Sequence, residues 1–92
     1  MRFDWDQRKA TSNVAKHGTS FEEASTVFQD PFARILDDPG HSSLERREII
    51  VGHSAQAKLL VVSFTEREDV VRIITARPAT KLERRDHEEG DY

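Results

Sequence analysis

A chain of 92 residues is long enough for one modest core and too short for two. It contains no cysteine, which excludes a disulfide framework and a thiolate metal site, and its net charge of −3 argues against nucleic-acid binding through a broadly basic surface. The opening MRFDWDQRK is too charged for a signal peptide, and no apolar run approaches the roughly 20 residues that span a bilayer, so a soluble cytoplasmic protein is expected.

Arg2 to Trp5 alternates polar and apolar and predicts a short strand with Phe3 and Trp5 on one side. Asp4 or Asp6 then caps a helix over Gln7–His17, whose clearest inward positions are Ala10 and Val14. Gly18 fits the left-handed position after a helix end, and Lys16 and His17 in the last turn complement the helix dipole. Ser20-Phe21-Glu22-Glu23 has capping-box spacing, and Phe21, Ala24, Val27 and Phe28 mark one face of a second short helix. Asp30-Pro31 stops it, because the residue before proline is pushed out of the helical region.

Beyond Pro31 the period changes to that of strands: Phe32–Leu36, Arg47–His53, Leu59–Thr65 and Val70–Ala76. Pro39 and Gly40 suit a type II turn, HSSLE reads as loop, and TERED as a polar turn. Three of these strands, joined by short polar connections, predict an antiparallel meander. Pro78 ends the last strand. Residues from about 79 to 92 form a C-terminal helix or a frayed tail. The expected architecture is one α+β domain over residues 1–92, in the order β-α-α-β-β-β. Two N-terminal helices cover one face of a twisted antiparallel sheet, and the other face stays partly open for a partner or substrate.

The block FDWDQRKATSNVAKHGTSFEEASTVFQDP resembles the opening of the BrnT toxins, within the wider RelE/ParE-like fold. RREIIVG and RIITARPATKLER are similar to the middle and closing blocks of that family, so the resemblance runs from Phe3 to about His87. It implies a metal-independent ribonuclease toxin of a type II toxin–antitoxin pair, which cuts RNA and stalls translation and growth. It also implies a cognate antitoxin with a ribbon-helix-helix DNA-binding domain, a toxin–antitoxin heterotetramer, and contact with DNA only through the antitoxin. The family often places a tyrosine shortly after the Glu-Arg of its last block, where this chain has His87.

Cleaving RNA without a metal requires a group that takes or orients the ribose 2′-hydroxyl proton. It also requires cations at the phosphorane oxygens and an acid for the leaving 5′-oxygen. Ten of the fourteen basic residues are arginines, whose planar fork suits phosphate. Arg72 and Arg77, on and at the end of the last strand, can clamp a phosphate. Arg47 starts a neighbouring strand, and Lys16 and His17 stand at a helix end beside Gly18. His17 or His87 supplies an imidazole, the side chain that exchanges a proton near neutral pH.

Plainer readings stand beside these. Lys16-His17 also reads as a favourable helix terminus and nothing more. Arg72 and Arg77 lie five positions apart, so a regular strand points them to opposite faces. Both serve one site only if a bulge or the strand end at Pro78 turns Arg77; otherwise one is structural, paired with Glu83 or Asp69. Arg47 competes with Arg46 and with surface acids. Glu66 reads as a solvated turn residue. Trp5 and Phe21 read as core, with Trp5 also offering a stacking face to a base. His41 and His53 have no partner spacing for a metal, so no metal and no cofactor is expected. A second functional class is a catalytically degenerate toxin that acts only as antitoxin partner and transcriptional co-repressor.

Overall fold

A computed structural model of the chain describes residues 1–38 and 46–90. The elements are β1 (Arg2–Asp4), α1 (Gln7–His17), α2 (Phe21–Thr26) with a 3-10 turn over Val27–Gln29, β2 (Arg34–Asp37), β3 (Glu48–His53), β4 (Leu59–Arg67), β5 (Val70–Pro78) and α3 (Lys81–Glu89). Among the described residues four strands follow α1 and α2, so the expected order β-α-α-β-β-β is one strand short. The turn at Pro39–Gly40 and the loop His41–Glu45 lie outside the described residues.

Local chemistry accounts for the helix ends. The Asp6 carboxylate accepts from the N–H groups of Arg8 (2.9 Å) and Lys9 (3.1 Å), which settles the choice between Asp4 and Asp6 as cap. Gly18 closes α1 in the left-handed region (φ 65°), its N–H donating to the Val14 carbonyl at 2.9 Å. At Ser20 the expected capping box is half made. The Ser20 hydroxyl accepts from Glu23 N–H at 3.0 Å, but the Glu23 carboxylate accepts a 2.7 Å bond from the Ser54 hydroxyl instead. A complete box forms where none was expected, at Thr80 and Glu83, and it starts α3.

The five strands form one sheet in the order β1-β5-β4-β3-β2. β2 to β5 are antiparallel neighbours, but β1 runs parallel to β5, so the sheet is mixed rather than wholly antiparallel. The two helices join β1 to β2, which lies at the opposite edge of the sheet.

Phe21, Ala24 and Val27 pack with Ile50, Leu60, Val62, Phe64, Val71, Ile73 and Ala76 to form the main core. Phe28 makes edge contacts with Phe64 (5.0 Å between centroids) and Phe3 (5.2 Å), and Trp5 does so with Phe21 at 5.9 Å. Phe21 is therefore core as expected, while Trp5 is half-buried against it.

The opposite face carries a second cluster of Val51, Leu59 and Val61, with Ile49 and Ala79 packed against it. It is not left open along its whole length. α3 turns back onto this side through an Arg77–Glu83 pair and a contact between His53 and His87. Burial on both faces explains why β4 begins as the unbroken apolar run LLVV.

One position of α1 departs from the periodic expectation. Ala10 is buried, but Val14 is 48% exposed and the second inward side chain is Asn13. β1 pairs with β5 only from Val70 to Arg72, so among the described residues no strand lies beside the β5 edge at Ala76. The Asn13 amide stands in for one. Its Nδ2 donates to the Ala76 carbonyl (2.7 Å), and its Oδ1 accepts from the Ala76 N–H (3.1 Å). Nδ2 also donates to the Thr19 carbonyl at 2.8 Å, tying the turn after α1 to the same strand.

Candidate functional site

Lys16 and His17 occupy the last turn of α1 and are exposed. They line a cleft of about 230 Å³ with Lys9, Ser12, Asn13, Ile74 and Thr75. Among the described residues no carboxylate lines it. Two ammonium groups and an imidazole therefore face one small space, and the field there favours an anion. Asn13 positions all of this, since it fixes the α1 end against the edge of β5.

The register of β5 decides where the arginines point. Ser63 pairs with Thr75 but Phe64 pairs with Ile73, leaving Ile74 as an extra, unpaired residue. That bulge resets the alternation. Arg72 stands opposite Thr65, Thr75 opposite Ser63 and Arg77 opposite Val61, and all three share the face away from α1 and α2. Five positions of separation would otherwise put the two arginines on opposite faces.

Sharing a face does not give the two arginines the same freedom. Arg77 holds Glu83 through two parallel bonds of 2.7 and 2.9 Å. The hydrogen bond from Arg77 pulls the Glu83 carboxyl down to about 2, against the opposing effect of burial. The same bond raises the Arg77 guanidinium. Arg72 makes one contact of 3.1 Å to Asp4, with both side chains about half exposed. An exposed single-contact pair contributes less than about 1 kcal/mol and yields readily to a phosphate.

A second cleft, about 510 Å³, is lined by Arg72 with Asp4, Arg46, Thr65, Glu66, Arg67, Glu68 and Val70. Its arginines are matched by carboxylates, and Arg46 is paired with Asp37 at 3.1 Å. Glu66 is exposed, as expected, though it belongs to β4 rather than to a turn. Arg47 lies one residue before β3, where its carbonyl accepts from the Asp38 N–H at 3.1 Å and prolongs the β2–β3 ladder.

His87 is not brought to Lys16 and His17. It sits on α3, its ring 5.8 Å from that of His53. His53, which has no partner at metal-ligand spacing in the sequence, stands with Asp30 and His87 in space, one ligand atom of each within 4.8 Å of the others. Sequence spacing could not show it, since the three come from the exit of the 3-10 turn, the end of β3 and α3. Burial lowers the His87 imidazole, helped by the charge of His53. Burial opposes ionisation of Asp30, but N–H groups of His53 and Phe32 outweigh it and hold the carboxyl below its ordinary value.

A small α+β protein with a cationic cleft at a sheet edge, lined by one imidazole and, among the described residues, no carboxylate, carries side chains that suit an anion such as a phosphodiester. The chain belongs to the BrnT family, the ribonuclease toxins of type II toxin–antitoxin systems, whose family model matches residues 5–83. Membership implies an antitoxin partner. The 1.1 Å crystal structure of the Brucella abortus ribonuclease toxin BrnT is similar in fold, with a TM-score of 0.66. It is 23% identical over 88% of this chain and 99% of that one, an identity at which the likeness shows the fold alone. Comparison with curated proteins finds no match. Among the described residues no helix is long and apolar enough to cross a membrane.

Proposed function

We propose that this chain cleaves RNA at the cleft between the end of α1 and the β5 bulge, without a metal in the reaction, and so arrests translation and growth in the cytoplasm. The observation that carries this reading is the lining of the cleft: Lys9, Lys16 and His17, with no acid among the described residues there. A phosphodiester placed there meets cations that neutralise charge as the 2′-oxygen bonds to phosphorus and the bond to the 5′-oxygen breaks. His17 handles the proton at one end of that exchange, taking it from the 2′-hydroxyl or giving it to the 5′-oxygen. Arg72, on the same face as Thr75, supplies a further cation to a neighbouring phosphate once it leaves Asp4. Arg77 serves instead to hold α3, and His87 stands apart from the cleft. On this reading the chain is a RelE/ParE-like toxin, neutralised by a ribbon-helix-helix antitoxin in a heterotetramer.

The reading as a binding module has one observation in its favour. Ile35 and Leu36 are 55% and 46% exposed on opposite faces of the edge strand β2, and Phe32 just before it is 78% exposed, an apolar edge suited to a partner segment. Expression without antitoxin, with total RNA followed over time, separates the two. The ribonuclease reading expects fragments from the wild-type chain and none from His17→Ala, with both proteins captured equally by the antitoxin. Intact RNA from the folded wild-type chain supports the binding module instead.

A further inference from the structure

We propose that Asp30, His53 and His87 form a binding site for one zinc-like divalent transition ion, which pins the last turn of α3 to the sheet. The three ligand atoms lie within 4.8 Å of one another, with Asp30 Oδ2 and His53 Nδ1 at 3.8 Å. Tetrahedral zinc with bonds near 2.1 Å sets its ligands about 3.4 Å apart. Small side-chain rotations, chiefly of His87 on the final turn of α3, close the difference.

The carboxylate is already aimed. Its Oδ1 accepts from the Phe32 N–H (2.9 Å) and its Oδ2 from the His53 N–H (2.8 Å), bonds of the kind that orient a metal ligand from its outer side. Each oxygen has a second lone pair, so Oδ2 can bind an ion without giving up its backbone partner. Gly52 makes the approach possible, because a Cβ there would stand 3.1 Å from Asp30 Oδ2 and 2.8 Å from the Ala33 Cβ.

The ligand chemistry selects the ion. Two imidazoles and one carboxylate favour zinc or its neighbours over magnesium, which demands oxygen in octahedral array. With no cysteine in the chain, no thiolate set competes for it. Three protein ligands leave a fourth position for water at the exposed His53 side. Sheet spacing puts this site on the order of 15 Å from Thr75, so it is separate from the proposed cleavage cleft.

The test uses the full chain without an affinity tag, freed of metal by chelation and titrated with Zn²⁺ by calorimetry and with Co²⁺ by visible absorption. One ion per chain is expected, with a Co²⁺ spectrum of low-coordinate type and a Tm that rises with Zn²⁺ concentration. His53→Gln and His87→Gln should each weaken binding at least about tenfold while circular dichroism shows them folded, and His17→Gln should bind as wild type. Binding of Mg²⁺ as tight as Zn²⁺, no rise in Tm, or Zn²⁺ affinity that survives both substitutions would overturn the site. Loss of binding in His17→Gln would place the ion in the cleavage cleft and overturn it equally.

Discussion

Asn13 holds more of the proposed site in place than Lys16 or His17 does. Its amide satisfies the Ala76 N–H and carbonyl and the Thr19 carbonyl at a buried position. Asn13→Ala strands those backbone groups, at about 1–3 kcal/mol for a buried polar group left unpaired. A loss of at least 2 kcal/mol in urea-unfolding stability is expected; a loss below about 0.5 kcal/mol would mean that the edge of β5 needs no such partner. The pair Lys16-His17 was legible in sequence, because a basic last turn followed by glycine is a local signal. Asn13 was not, since a polar residue in a helix reads as solvent-facing until the unpaired strand edge beside it is known. Glu83 gives a prediction in pH. Its carboxyl is held at about 2 in the fold against an ordinary 4.5, so its contribution is complete above pH 4.5 and is lost as pH falls through 2. Arg77→Ala should therefore cost on the order of 1 kcal/mol at neutral pH, and the deficit should shrink toward zero between pH 4.5 and 2. A deficit that stays constant across that range would show that Arg77 acts through packing alone.

At the scale of elements, the bulge at Ile74 is the feature that determines which side chains share a face. Strand periodicity alone put Arg72 and Arg77 on opposite sides, and nothing in RIITAR marks where the extra residue falls. The elements themselves were readable from capping residues, glycine and proline, and the change of period after Pro31. The sheet's mixed direction was not, because β1 is three residues long and its partner is the last strand of the chain. Helix α3 was expected as a helix or a frayed tail; the Thr80–Glu83 box and the Arg77 pair fold it onto the sheet. Ala57, in the connection from β3 to β4, has φ 62°, where a Cβ costs roughly 1–2 kcal/mol. Ala57→Gly should raise stability by up to about 1 kcal/mol, less than the full strain because glycine also frees the unfolded chain. A fall in Tm for this variant would contradict the left-handed turn.

Across the whole molecule the acidic balance and the cationic cleft are compatible because charge is sorted by place. Many of the described acids lie at the helix starts, the facing ends of β2 and β3, the β4–β5 turn and α3, while Lys9, Lys16 and His17 line the edge of β5 beside α1. An antitoxin that neutralises by occlusion should cover that edge, and its addition should slow hydrogen exchange at residues 14–18 or around Arg72. Protection limited to β2 would show a partner that binds the apolar edge and leaves the cleft open.

The central claim is that Lys16 and His17 act on the phosphodiester and are more than a favourable helix end. A helix terminus presents partial negative charge from its free carbonyls, so the side chains must supply the attraction for an anion. The most direct measurement is the single-turnover cleavage rate of a short RNA by purified Lys16→Ala. The account predicts a loss of about a hundredfold, near 3 kcal/mol, with unfolding stability changed by less than about 1 kcal/mol and the rate per folded molecule insensitive to chelator. Cleavage by Lys16→Ala at the wild-type rate would contradict it.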